Sequence, residues 1–183
     1  MANGTLKVSN IETSSGSGTI TLGQSGETVD LSNGTITLNS SMKNTPSFKA
    51  TASSATTIAT GTYTTITLDG TETWDTDSAF ASNTFTVPTG KAGKYMFSYG
   101  VTVANLGDAD FSEIILTVNG TKDEKTRYRS LTGVAQTTIM RASAILNLSA
   151  GDTVVLQGFH NYGSNRDTSA SQTSFEGYKL IGA

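Results

Sequence analysis

The sequence contains no cysteine, one histidine, one tryptophan and only two prolines in 183 residues. Without cysteine, disulfides and metal–thiolate sites are excluded, and a lone histidine cannot supply a site that needs two or more imidazoles from one chain. No apolar run approaches the roughly 18 residues needed to cross a bilayer. A net charge of −3 leaves no broad basic field. We therefore expect no cofactor, no nucleic-acid partner and no membrane insertion.

The first ten residues, MANGTLKVSN, are also short of targeting features. They have neither the charged n-region nor the apolar h-region of a secretory signal peptide. We expect the chain to be made and folded in a cytoplasm. Its final location is a separate question.

Good helix formers in long runs are missing, whereas Thr, Ser, Gly and Asn are abundant. Threonine is frequent where apolar and polar residues alternate, as in GTYTTITL at 61–68, which is typical of strands. The composition predicts an all-β protein.

Residues 1–46, here called the arm, have no aromatic residue before position 47 and carry a short repeat. GTLKV at 4–8 is followed by GTITL at 18–22 and again at 34–38, and ETVDL at 27–31 has the same apolar spacing. Strands this short cannot bury enough surface alone, so we expect the arm to become ordered against partners. A flexible Ser/Gly-rich leader is the alternative. The predicted attachment residues are Leu6, Val8, Ile20, Leu22, Val29, Leu31, Ile36 and Leu38.

Residues 47–183, here called the head, show many short strand patterns separated by Gly-, Asn- and Asp-rich turns. This spacing predicts a sandwich or barrel. The predicted strands are 47–53, 57–68, 79–87, 93–104, 112–119, 124–131, 136–148, 152–160 and 173–181.

Two of these strands carry apolar residues on both faces. Ile115 lies opposite the apolar face of 112–118, and Ile139 and Ile145 lie opposite that of 137–148. A sandwich needs only one apolar face per strand. The second face predicts burial against another subunit through Ile115, Ile139 and Ile145.

The segment FTVPTGKAGKYMFSY at 85–99 combines a proline, two glycines and alternating aromatic residues. Pro88 ends ladder pairing, and Gly90 and Gly93 allow a tight bend into the next strand. This segment resembles the signature of the C1q/TNF-like jelly roll. LSAGDTVVLQ at 148–157 and SFEGYKLI at 174–181 resemble two further motifs of that family, in the same order.

The resemblance implies a two-sheet jelly-roll sandwich of ten strands that packs as a homotrimer. It covers residues 47–183. The chain departs from the animal members because it has no collagen-like stalk, no cysteine and no secretion signal. Complement or cytokine activity and a calcium site are therefore not expected.

The arm resembles the leader of small virion proteins of tailed phages, particularly marine ones. This resemblance implies a virion structural protein on the particle surface that contacts capsid or tail proteins. A homotrimeric surface decoration or short head fibre is the interpretation that we prefer. The alternatives are a tail-fibre or spike tip that binds a host surface glycan, and a carbohydrate-active enzyme.

Residues suited to catalysis are few. His160 ends a strand pattern, and no serine lies in a G-x-S-x-G elbow. Asp75 with Asp77, and Asp108 with Asp110, could bind calcium or form a carboxylate pair for glycoside cleavage. Solvated loop acids are the simpler interpretation, and we predict neither a metal site nor an enzyme. Trp74 either caps the sandwich, which we prefer, or offers a sugar-stacking platform.

Two further segments could contact partners. KDEKTRYR at 122–129 alternates cations in a way that is typical of an edge strand protected by charge, and it could also contact an acidic virion protein. The polar segment 160–174 precedes the last strand, and long loops on a rigid sandwich often bind ligands. Its candidate receptor residues are Tyr162, Asn165, Arg166 and Asp167.

Overall fold

The computed structural model of the chain describes residues 42–134 and 136–181, together with Gly26 and Thr28. The chain divides into two units, Met1–Thr37 and Leu38–Ala183, and every described strand belongs to the second. The predicted attachment residues of the arm lie outside the described residues. Their role and the boundary at residue 46 therefore stay predictions.

The described part of the chain contains strands and short 3-10 helices, and it contains no α-helix. The all-β prediction is confirmed. Within this part, no helix is long and apolar enough to span a membrane. The 3-10 helices are Thr76–Ser78, Glu124–Thr126 and Ala170–Gln172. The strands are β1 (Ser47–Thr51), β2 (Thr57–Ile58), β3 (Thr64–Thr65), β4 (Trp74–Asp75), β5 (Phe80–Ala81), β6 (Thr84–Thr86), β7 (Gly93–Leu106), β8 (Phe111–Val118), β9 (Thr121–Lys122), β10 (Tyr128–Leu131), β11 (Gln136–Leu148), β12 (Thr153–His160), β13 (Arg166–Asp167) and β14 (Ser174–Lys179).

The strands form two main antiparallel sheets. The five-stranded sheet has the order β11-β7-β14-β1-β4. The seven-stranded sheet has the order β10-β8-β12-β6-β5, with β3 beside β12 and β9 beside β8. β13 and β2 make a separate pair. The sheets pack face to face as the predicted jelly-roll sandwich.

The core between the sheets is rich in aromatic side chains, because alternate residues of each strand face inward. Tyr95, Phe97 and Tyr99 are buried along β7, as the alternating pattern predicted. Phe48 stacks on Phe80 at 4.8 Å between ring centroids. The remaining fully buried aromatic rings of the described core are Phe85 and Phe175.

The Pro-Gly corner predicted at 88–93 joins the two sheets. β6 ends at Thr86, and β7 begins at Gly93. The Lys91 N–H donates to the Pro88 carbonyl at 3.1 Å, and Gly90 has a φ of 75°. A φ of this sign favours glycine. The corner therefore depends on the residues that the sequence motif contains.

Three predicted strands differ from the observed elements. The range 79–87 forms a hairpin, in which β5 and β6 pair with each other across a turn at Ser82 and Asn83. The range 57–68 holds only the two short strands β2 and β3, although Ile58 and Ile66 are fully buried. The range 124–131 begins with a 3-10 helix, because the Asp123 side chain accepts a hydrogen bond from the Lys125 N–H and stabilises the turn.

Candidate functional site

The outward face of the five-stranded sheet carries an apolar row that the head itself leaves uncovered. Cross-strand register places Ile145 of β11 opposite Met96 of β7, and Met96 opposite Tyr178 of β14. Ile145 is 61% exposed and Tyr178 is 42% exposed. Ile139 lies on the same face of β11 and is 57% exposed. We call this surface the apolar face.

The next row across this sheet is polar. Glu176 of β14 lies opposite Lys49 of β1, and their side chains form an ion pair at 3.3 Å. Lys49 lies opposite Trp74 of β4, with its ammonium group 5.8 Å from the ring centroid. Ser98 faces Glu176 from β7. This row interrupts the apolar surface with one neutralised charge pair.

Trp74 does not cap the sandwich. It lies on the outward side of β4, and it is 45% exposed. The preferred prediction was wrong because the edge strand β4 turns this side chain away from the core. A depression of about 680 Å³ separates Trp74 from Tyr178. Its lining residues are Asn44, Ser47, Phe48, Trp74, Met96, Ser98, Glu176, Gly177 and Tyr178.

Of the three predicted subunit-contact residues, two lie on the apolar face. Ile139 and Ile145 are exposed on it, whereas Ile115 is fully buried within the head. Ile115 therefore cannot reach another subunit. On its side of β8, Tyr63 contacts Glu113 and also lies under Lys122, which is attached to β8 through the neighbouring β9. These contacts lie on either side of Ile115. The outward side of β8 at Ile115 is therefore covered by other residues of the same chain.

A second surface lies on the outward side of the seven-stranded sheet and was not predicted as a unit. Register places Arg129 of β10 opposite Glu113 of β8, and Glu113 opposite Phe159 of β12. Phe159 stacks against Phe111 at 5.7 Å between ring centroids, and it packs at a tilt against Tyr63 at 4.8 Å. We call Tyr63, Phe111, Glu113, Arg127, Arg129 and Phe159 the aromatic–arginine cluster.

Glu113 is the centre of this cluster. Its side chain is only 2% exposed, and it accepts hydrogen bonds from Arg129 and from the Tyr63 hydroxyl. Arg127 Nε lies 3.7 Å from its second oxygen and also pairs with Glu124. Burial and the hydrogen bond to Glu113 raise the pKa of Tyr63 to about 12. A negative charge beside the phenol opposes its ionisation.

The charged stretch 122–129 supplies part of this cluster. The edge-strand prediction is confirmed for Tyr128–Leu131, because β10 is at one end of the seven-stranded sheet. Its basic side chains are not simply solvated, since Arg127 and Arg129 converge on Glu113. The sequence signal was the odd-numbered spacing of Arg127, Arg129 and Glu113, but the pairing partner of each strand could not be read from it.

The candidate receptor residues contact one another or other residues of the head. The Arg166 guanidinium lies 3.6 Å from the Tyr162 ring centroid and donates to the Asn165 carbonyl. Asp167 accepts a hydrogen bond from the Thr57 hydroxyl. The structure therefore brings Tyr162, Asn165 and Arg166 together, but as contacts that fix the loop.

The loop acids also have internal roles. The Asp75 carboxylate accepts hydrogen bonds from the Ala79 and Phe80 N–H groups. Asp77 pairs with Lys91 at 3.5 Å. Asp110 accepts a hydrogen bond from the N–H of Gly107 at 3.0 Å. Across the described residues, no three His, Cys, Asp or Glu side chains group closely enough to hold a metal ion.

His160 is a core residue at the end of β12. It is fully buried, and its Nε2 lies 2.9 Å from the Ile58 carbonyl oxygen. Its Nδ1 is buried without a hydrogen-bond partner. This position anchors β2 to the sandwich, and it does not bring the imidazole to a surface where it could act as a base.

Comparison with known proteins gives the family. The family model described as "C1q domain" matches residues 47–180, and the chain belongs to that family. No curated protein matches the chain.

Solved structures agree on the fold. Murine APRIL at pH 8.5 has a TM-score of 0.54 at 12% identity, over 73% of this chain and 98% of that chain. Eiger TNF from S. frugiperda has a TM-score of 0.51 at 11% identity, over 75% of this chain and 93% of that one. The globular domain of zebrafish complement 1qA protein has a TM-score of 0.49 at 15% identity, over 74% and 97%. Together the family match and the first two structures establish a C1q/TNF-like jelly roll.

Proposed function

We propose that the chain is a non-enzymatic structural protein whose head assembles as a homotrimer through the apolar face. The observation that carries this proposal is the row Ile145, Met96 and Tyr178 on a folded sandwich, in which Ile145 and Tyr178 are exposed and Met96 is partly exposed. Ile139 is exposed on the same face of β11, beyond Arg141 and Ser143. Each fully buried aliphatic side chain contributes about 1.5–3 kcal/mol. Large apolar side chains that are exposed on one face of a sheet mark an interaction surface.

A second group of exposed apolar residues lies elsewhere on the head, at the end of β10 and in the loop after it. Leu131 is 74% exposed, Val134 is 62% exposed and Tyr128 is 41% exposed. Two different apolar surfaces on one chain suit a head-to-tail contact, which closes into a ring when the rotation permits. The homotrimer implied by the C1q/TNF resemblance is such a ring.

The position on a virion surface is a further part of the proposal. Its support is the arm, whose regular apolar pairs could pair with a capsid or tail protein through backbone hydrogen bonds. In this arrangement the trimer is a surface decoration or short head fibre, and the arm attaches it. The head carries its own core and needs no help from the arm to fold.

Deletion of residues 1–45 tests whether the arm, and not the head, attaches the protein to the particle. The truncated protein should form soluble trimers that are missing from purified particles. Ile20→Asp with Leu22→Asp in the full chain should have the same effect, because charge would enter an aliphatic contact. Incorporation of the truncated protein at normal copy number would show that the head attaches the protein, and the stretch 122–129 would become the first surface to examine.

The non-enzymatic part of the proposal is supported by what the acidic side chains do. Asp75, Asp77 and Asp110 are each engaged by N–H groups or a lysine, which holds them in structural roles. Asp75→Asn with Asp77→Asn should leave assembly intact. Polysaccharide cleavage that disappears in this double variant would contradict the proposal.

A tail-fibre or spike tip that binds a host surface glycan is the second candidate function. The observation in its favour is the aromatic–arginine cluster, because aromatic side chains face outward there beside exposed cations. Binding of the purified protein to a glycan array would support this candidate. The two candidates share the trimeric head and differ in what its outer surface does.

A further inference from the structure

The outward side of the seven-stranded sheet is unusual because it carries aromatic rings. On a solvated sheet face the side chains that alternate with core residues are normally polar. Here Phe111 and Phe159 occupy these positions, and the Tyr63 ring packs beside Phe159 from the segment before β3. All three are partly exposed.

Two arginines are held in fixed positions beside these rings. Arg129 binds Glu113 through Nε and Nη2, and its guanidinium lies 4.2 Å from the Phe111 centroid. Its side chain is nevertheless 49% exposed, so the far edge of the guanidinium is open to solvent. Arg127 is held by Glu113 and Glu124 and is 31% exposed. A fixed guanidinium loses little conformational freedom when it binds a carboxylate.

The charge that faces solvent here is positive, although the chain as a whole carries −3. Lys122 lies over the Tyr63 ring at 4.0 Å, and Lys125 is exposed in the adjoining 3-10 helix. Among the acidic residues, Glu113 is buried, and the Asp123 carboxylate accepts from the Lys125 N–H. Glu124 is the one carboxylate among residues 122–129 that is mainly exposed, at 58%, and it pairs with Arg127, so the cations outnumber it.

We propose that the aromatic–arginine cluster binds an acidic glycan, a carbohydrate chain bearing carboxylates. The apolar C–H face of a sugar packs on the exposed edges of the Phe111 and Phe159 rings, whose faces contact Arg129 and each other, and the carboxylate pairs with the open edge of Arg129. Lys122 and Lys125 raise the local concentration of the anionic chain. This inference rests on the glycan-binding candidate of the proposed function, and it assigns the ligand class and the site.

An acidic peptide fits this surface less well. Extended peptides gain affinity by adding a strand to a sheet edge, where backbone groups are free. The cluster lies on the face of a sheet, and the backbones of β8 and β12 are paired with neighbouring strands along the rows that carry it. The face offers rings and guanidinium groups, which suit a sugar acid.

The test uses the full-length protein and two immobilised polysaccharides, polygalacturonate as the acidic probe and dextran as the neutral one. The protein should bind polygalacturonate, bind it more weakly as salt rises, and not bind dextran. Arg129→Gln should weaken binding by about tenfold, which is the usual effect of losing a hydrogen bond to a charged group. Phe111→Leu keeps apolar bulk while removing the ring, and it should also weaken binding.

Two variants keep the test independent of folding. Lys125→Gln leaves the Glu113 contacts in place, so the protein should fold normally and bind polygalacturonate several-fold more weakly. Lys43→Gln removes the same charge from an exposed position shortly before β1 of the five-stranded sheet, and it should leave binding unchanged.

Several outcomes would overturn the proposal: no binding to polygalacturonate, equal binding to dextran, or binding that is unaffected by Arg129→Gln and Lys125→Gln. Polyglutamate that competes as well as polygalacturonate would identify an acidic peptide as the partner and would also overturn it. Light scattering of the same samples reports the trimer separately. A trimer that binds neither polysaccharide contradicts this inference alone.

Discussion

Gly177 lies directly between Phe48 and Phe97 in one cross-strand row of the core. A Cβ at position 177 would lie 2.5 Å from Cδ1 of Phe97 and 3.0 Å from Cε1 of Phe48. The two rings fill the space that a side chain on β14 would need. This packing is the physical reason for a glycine at position 177 of SFEGYKLI, the segment whose sequence resembles a C1q/TNF family motif.

Gly177→Ala should destabilise the head because the added methyl group overpacks this row. Overpacking in a well-filled core costs about 1–3 kcal/mol. Chemical denaturation should show a lower midpoint with an unchanged slope. Gly133→Ala is the matched control, since a Cβ there meets nothing within 4 Å. Equal midpoints for both variants would show that the core accommodates the added methyl group at position 177, which would contradict the prediction.

Ile139→Asp with Ile145→Asp should convert the trimer to folded monomers. Both side chains are exposed in the isolated head, so the fold should tolerate the change, whereas an interface would have to bury unpaired carboxylates. Size-exclusion chromatography with light scattering measures the mass. Thr86→Asp, on the exposed side of β6, adds the same charge elsewhere and should remain trimeric. A trimer that survives the double isoleucine change would place the interface off the apolar face.

Three of the six tyrosines should ionise late in an alkaline titration. Burial raises the pKa of Tyr63, Tyr95 and Tyr99 to about 12, with Glu113 adding to the effect at Tyr63. Between pH 10 and 12 the unfolded chain loses phenolic protons that the folded head keeps. Stability that is present below pH 10 is therefore lost as pH rises toward 12. Ultraviolet absorbance that shows all six tyrosines titrating together near pH 10 in the folded protein would contradict this.

Glu113→Gln should both destabilise the head and lower the pKa of Tyr63. The variant keeps the shape of the side chain but removes the charge that holds Arg127 and Arg129 and opposes phenolate formation. Loss of hydrogen bonds to a charged group costs about 1.5–3 kcal/mol. Thermal unfolding and tyrosine titration measure the two effects. Tyr63→Phe provides the matched control, because it removes only the late-titrating phenol at that site.

Much of the fold could be predicted from local patterns. The alternation of Tyr95, Phe97 and Tyr99 follows from the period of a strand, and the corner at Pro88 and Gly90 follows from backbone restrictions that no partner can change. Such signals lie within a few residues of the feature that they specify. The strand predicted at 124–131 is observed only over Tyr128–Leu131, because a local Asp123 cap stabilises a 3-10 helix over Glu124–Thr126.

The functional surfaces were only partly predictable, because they depend on which strands become neighbours. Ile115 and Ile145 both look like second-face residues in the sequence, yet Ile115 is covered by its own chain and Ile145 is not. Trp74 faces outward because its register places it opposite the outward-facing Lys49 and not opposite the buried Phe48. The aromatic–arginine cluster joins Tyr63, Glu113 and Phe159 from three separate segments, and single-strand patterns carry no information about that pairing.

The most direct test of the central claim is the mass of the head in solution. Multi-angle light scattering of the full chain at micromolar concentration should return three times the chain mass of 19.1 kDa. The same mass should be found after residues 1–45 are removed, less the deleted segment from each copy. A stable monomer of the head, with Ile139, Ile145 and Tyr178 exposed to water and no tendency to associate, would contradict the proposal that the apolar face joins three copies of this chain.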